Sequence, residues 1–177
     1  GPIILSGQGK ETGMTVSSDG CNLEGLTFQG YSGAAVHLLS RKNRIENNVF
    51  EDASPAILAS GSEGNSINGN LISNCQGGVA LRDASENNSI DGNEITSCNI
   101  SIFLGEADGN SIIENNISDA YWGIWLDNSS QVQIEGNDIQ SRSHGILLLN
   151  GSGLYVSDNL VMIDDAGNST SRASLLA

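Results

Sequence analysis

The side chains of this chain that could do chemistry are few and scattered. Cleaving a polysaccharide calls for two carboxylates, or a carboxylate with a basic partner, facing one groove. Asp83 beside Arg82, and Asp127 close to Trp125, are the candidates. No coil collects two acids with a His or Arg on one face, and His37 and His144 lie near opposite ends of the chain. The residues therefore lean away from an enzyme. If catalysis is present, a polysaccharide lyase or glycoside hydrolase is the expected class.

Binding chemistry has stronger support. His37, Leu58, Ala80, Phe103, Trp125 and Leu147 occupy one recurring position, with Tyr121, Trp122 and His144 a few residues earlier in their copies of a repeat. Aligned apolar residues on an outer surface mark a contact face. Three uses stay open for it: packing against another domain or subunit, stacking on the apolar faces of sugar rings, or cover by the chain's own tails. Glu24, Glu46, Asn68, Asp91, Ile113 and Glu135 form a second recurring column, and Arg41, Glu63, Glu86, Asp108 and Ser130 a third. Stacked carboxylates repel, and a divalent cation such as calcium could relieve that. A solvated acidic face is the plainer reading, and no cofactor is expected. Six N-x-S/T sequons, at Asn87, Asn99, Asn116, Asn128, Asn150 and Asn168, are candidate glycosylation sites.

These columns exist because the chain repeats. Aligned on one position, the copies read Leu26, Asn48, Asn70, Asn93, Asn115, Asn137 and Asn159. The step is 22 residues, with 23 between Asn70 and Asn93. Three residues earlier stand Leu23, Ile45, Ile67, Ile90, Ile112, Ile134 and Val156, and two residues later Phe28, Phe50, Ile72, Ile95, Ile117, Ile139 and Val161. Each unit then closes on a small residue and an apolar-x-apolar beat, as in Gly123-Ile124-x-Leu126. The beats alternate with the period of a strand, and the unit is too short for a helix pair. A unit that cannot bury its own apolar face must stack on its neighbours. The expected fold is all-β, a parallel β-helix of about seven 22-residue coils. Gly25, Asn47, Gly69, Gly92 and Gly136 precede the aligned column and tolerate a left-handed turn, whereas Glu114 and Asp158 break that habit. The column itself should form an internal Asn ladder, because an amide can satisfy buried turns above and below. Cys75 and Cys98 share a position with Ala53 and Ala120. They are expected to be stacked, buried thiols rather than a disulfide, since parallel Cβ vectors suit a disulfide poorly.

The repeat N-S-I-x-G-N-x-I-S followed by G-I-x-L, running from about Gly13 to Val161, resembles the right-handed parallel β-helix repeats of carbohydrate-binding proteins and sugar hydrolases. It is most similar to periplasmic proteins that assist nitrous-oxide reductase maturation, and to surface β-helix proteins of archaea and bacteria. The resemblance implies a right-handed helix. It also suggests copper handling, for which two Met and two His supply no ligand cluster. The Y-G-x-D-P-H signature of alginate epimerases and the N-T-D and R-I-K elements of polygalacturonases are missing.

The domain reading is one β-helix over 1–177, with an incomplete first coil at 1–20, regular coils over 21–161 and an irregular end at 162–177. The chain is expected to be part of a longer protein. A net charge of -14 makes nucleic acid an unsuitable partner, and the apolar runs are too short for membrane insertion. The expected role is a non-catalytic structural or adhesive module of a secreted or cell-surface protein. Its lateral column would meet polysaccharide or other subunits. The alternatives are part of a polysaccharide-degrading enzyme, or a sheath or filament subunit stacking axially through its coil ends.

Overall fold

In the computed structural model, which describes residues 1, 3–164 and 175–176, every regular element is a β-strand and every pairing is parallel. The chain winds as a three-faced solenoid. The first face stacks seven three-residue strands, from Asn22–Glu24 to Tyr155–Ser157. The second runs from Ile3–Ser6 through Glu94–Thr96, and the third from Met14–Val16 through Ile100–Gly105. Asn116–Asp127 and Asp138–Leu149 are single twelve-residue strands that bend across the second and third faces, with register shifts where they turn. Leu160–Ile163 pairs with Asp138–Ser141, so regular structure passes the expected limit at residue 161 by two residues. Leu175–Leu176 pairs with Ile146–Leu147 and prolongs the third face. Of the irregular end expected at 162–177, residues 165–174 and 177 lie outside the described residues.

Apolar residues at alternate positions point inward and stack rung on rung. Ile45, Ile67, Ile90, Ile112 and Ile134 are in register on the first face and fully buried. Phe28 and Phe50 lie parallel, with ring centroids 5.0 Å apart. One coil repeats along the axis at the inter-strand spacing of about 4.8 Å.

The corners are buried turns, and asparagine satisfies them. Asn93 Oδ1 accepts from the Asn70 backbone N–H and side-chain amide, both at 3.0 Å. Its own amide donates to the Ile67 carbonyl at 2.9 Å and to Asn115 Oδ1 at 3.0 Å. This ladder runs from Asn48 to Asn159 as expected. A second ladder stands at the opposite end of the first face, where Asn43, Asn65, Asn88 and Asn110 hand amides from coil to coil. The sequence shows those residues only as the start of each repeat.

The corner residue before the main ladder is left-handed in every coil, including Glu114 (φ 51°) and Asp158 (φ 55°). Solenoid geometry has overridden residue preference at those two rungs. Holding a non-glycine residue there costs on the order of 1 kcal/mol. Glu114→Gly is accordingly expected to stabilise the chain by about 0.5–1 kcal/mol. An unchanged or lowered urea midpoint would show that the Glu114 side chain compensates.

Candidate functional site

The third face carries the outward column in register: His37, Leu58, Ala80, Phe103, Trp125 and Leu147 each pair with the next. All but Ala80 are half-buried side chains lying along the sheet. Outward residues on adjacent rungs are only a strand spacing apart, so large ones must pack against one another. Phe103 meets the edge of Trp125 at 5.2 Å between centroids, and Trp122 meets Trp125 at 4.8 Å. Tyr121 adds a fourth ring 5.5 Å from Trp122 and remains 49% exposed. The chain has eight aromatic residues, so half of them are concentrated here. His144 pairs with Trp122 in the following coil and is hydrogen-bonded to Ser143 Oγ at 2.8 Å. His37 lies beyond Leu58 and Ala80, away from the rings, and contacts Ser60 Oγ at 3.2 Å.

Beside the cluster is a cleft of about 450 Å³. Ala80 and Gly77 make it by leaving space where neighbouring rungs carry bulk, and Leu58 and Phe103 wall it. Arg82, Gln76 and Asn99 supply its polar groups. The Arg82 guanidinium sits 4.9 Å from the centre of the Phe103 ring. Gly105 permits this, because a Cβ there would come within 2.8 Å of the ring. Arg82, Gln76 and Gly77 are the site residues that the sequence reading missed as binding groups. The available signal was Ala80, the one small residue in an otherwise bulky column. Asn99 was singled out only as a sequon, yet it lines the cleft. The indole N–H groups of Trp122 and Trp125 are shielded and meet no acceptor among the described residues.

A second groove, about 410 Å³, shares Gln76 and Asn99 with the first. Cys75, Cys98, Asn74, Ser97, Tyr121, Asp119 and Arg142 complete it. Cys75 and Cys98 are free thiols in adjacent coils, 3% and 2% exposed. Each is the main influence on the other's ionisation: their hydrogen bond draws Cys98 below the ordinary thiol range and pushes Cys75 up. On the groove's rim, Arg142 pairs with Asp119, and this bond, then one from Ser97 Oγ at 3.0 Å, holds the Asp119 carboxyl below its usual range. A depressed carboxyl contributes stability above its unfolded pKa and loses it as pH falls through the folded value. Arg142→Ala should therefore raise the Asp119 pKa towards the ordinary carboxylate value. An unmoved NMR titration of Asp119 would contradict the pairing.

The acidic columns are real but interrupted. Glu24 and Glu46 are adjacent, and Arg44 binds Glu46 through two hydrogen bonds of 3.0 and 2.9 Å. Asn68 and Ile113 separate the remaining acids of that column. Arg41 faces Glu63 at 3.7 Å, so part of the basic cluster at residues 41–44 is answered by acids of its own chain. Among the described residues no three His, Cys, Asp or Glu side chains converge as metal ligands, and no calcium site is derived. Asp83 and Asp127 lie on different rungs; the Asp127 carboxylate accepts from the Asn150 amide at 3.2 Å. Of the sequon residues, Asn87, Asn99, Asn116, Asn128 and Asn150 are all exposed. Asn168 lies outside the described residues.

A family model described as "Periplasmic copper-binding protein (NosD)" matches residues 3–166. No curated protein matches the chain. Among solved structures, a periplasmic alginate epimerase, AlgG, crystallised as a double mutant, is similar with a TM-score of 0.63 and 14% identity. The match covers 86% of this chain and 48% of that one. The chain thus spans about half the length of the epimerase, and at this identity the likeness concerns the fold alone.

Proposed function

The chain belongs to the NosD family of periplasmic β-helix proteins, and we propose that within it this segment is a non-catalytic module outside the cytoplasm whose third face binds a polysaccharide strand. One observation carries the reading: four of the chain's aromatic rings form a continuous cluster beside a cleft lined by an arginine and two amides. Aromatic faces stack on the apolar faces of sugar rings, while amide and guanidinium groups orient hydroxyls. A site with an apolar floor and a few placed polar groups is the usual composition of a small-molecule cleft. The cleft lies along the coil stack, so an extended chain can follow it across several rungs. A wholly apolar partner surface would leave Arg82, Gln76 and Asn99 unanswered.

Both tryptophans of the chain belong to this cluster, so intrinsic fluorescence reports on it directly. Titration with soluble neutral and uronate polysaccharides should give a saturable change in tryptophan emission with at least one of them. A flat response across such a panel, confirmed by calorimetry, would refute the polysaccharide reading.

A further inference from the structure

The charges around the cleft are arranged unlike those on the rest of the molecule. Arg41 faces Glu63, Arg44 binds Glu46 and Arg142 pairs with Asp119. Among the described residues, Arg82 is the one arginine with no carboxylate at ion-pair distance. Its neighbours in the outward column are Ser60 on one rung and Gly105 on the other, and neither is charged. Asp127 follows a rung farther on and is engaged by the Asn150 amide. The strands that floor the cleft, Ile57–Ser60, Gly77–Arg82 and Ile100–Gly105, contain no acid, although the chain has 21. An exposed cation on an acid-free patch of an otherwise acidic surface concentrates negative charge there.

The contact with Phe103 prepares this cation without neutralising it. The guanidinium stands 4.9 Å from the ring centre. A ring offers no oxygen acceptor, so the formal charge and the N–H donors remain available. The contact also steadies a long side chain before a ligand arrives, which lowers the ordering cost of binding. Gln76 immediately precedes the strand that Arg82 ends, so the amide and the cation stand at opposite edges of the apolar floor. A sugar on that floor meets hydroxyl-binding groups on one side and positive charge on the other.

On the premise that this face binds polysaccharide, we propose that the polymer is acidic. Arg82 selects it by holding an anionic oxygen pair, from a uronate carboxylate or a sulfate ester, through forked N–H donors. Such forked pairing belongs to arginine, and lysine supplies the charge without the fork.

The test measures binding of the full chain, by tryptophan emission and calorimetry, to two matched pairs of polymers. These are polygalacturonate against its carboxyl-reduced form, and dextran sulfate against dextran. At least one acidic polymer should bind about tenfold tighter than its neutral partner, the size of one charge-assisted contact. The pair that shows the preference separates carboxylate from sulfate. Arg82→Gln keeps an amide's hydrogen bonding and removes the charge, so the ratio should fall to near one while circular dichroism stays that of the parent. Arg82→Lys should restore only part of the ratio. Lys42→Gln, at an exposed position outside the cleft, should keep all of it. Equal binding of acidic and neutral partners overturns the proposal, as does a ratio that survives Arg82→Gln or is lost with Lys42→Gln. Each of those results leaves polysaccharide binding standing. Failure of all four polymers to bind instead defeats the polysaccharide reading, and the choice of an acidic polymer with it.

Discussion

Asn93→Ala is expected to destabilise the protein by about 3–5 kcal/mol, the largest single-residue effect outside the apolar core. The Asn93 side chain is buried and makes four hydrogen bonds to the coils on either side. Truncation leaves the Asn70 N–H without its acceptor and takes the Asn93 donor from the Ile67 carbonyl, while the Asn70 amide keeps Ile45 O and Asn115 Oδ1 keeps the residue-93 backbone N–H. Two buried groups short of a partner at about 1–3 kcal/mol each, with the weakened rungs on either side, give the total. For a chain of this size, 1 kcal/mol corresponds to a melting shift of roughly 2–4 °C. Asn116→Ala, at an exposed position on the next coil, is the control and should change stability by less than about 0.5 kcal/mol. A urea denaturation series comparing the two would decide the matter. Near-equal midpoints would mean that the ladder is ornamental.

Phe103→Ala combined with Trp125→Ala should weaken polysaccharide binding by far more than it weakens the fold. Aromatic anchors at the centre of an interface typically lose about 2 kcal/mol or more on truncation. That is about 30-fold in affinity for each ring. The two rings touch, so their effects will not simply add. Both side chains are half-exposed on the outside of the solenoid, and the inward neighbours Ile102, Leu104, Ile124 and Leu126 keep their packing. Trp122 remains as the fluorescent reporter. If the double variant binds with the parent's affinity while other changes in the cleft abolish binding, the rings are not the anchor. Arg82→Ala tests the cleft separately: it removes a hydrogen-bonding group and frees one side of the Phe103 ring. Its loss should fall between that of a single ring and no effect.

The coil period and the inward isoleucines were legible because each is a statement about spacing, and stacking converts spacing directly into contact. The main Asn ladder was legible for the same reason. The second ladder, Asn43 to Asn110, was visible as a recurring residue but not as a buried one. Its role depends on which corner of the coil turns inward, and that is a property of the closed cross-section. Glu114 shows the reverse case, where residue preference argued against a left-handed corner and the winding imposed it.

The site divides in the same way. The sequence by itself determined the register that lines up Leu58, Ala80, Phe103, Trp125 and Leu147, and that sets Cys75 against Cys98, because in a parallel solenoid residues one period apart must be neighbours. Only the tertiary structure decided what fills the space between those columns. The ring of Phe103 lies over Gly105 and under Arg82, the absence of side-chain bulk at Gly77 and Ala80 opens a cleft, and the two thiols border a groove instead of a sealed core. Side-chain direction across faces, and the shape of the voids left by small residues, depend on rotamers and corner geometry that a one-dimensional period does not contain.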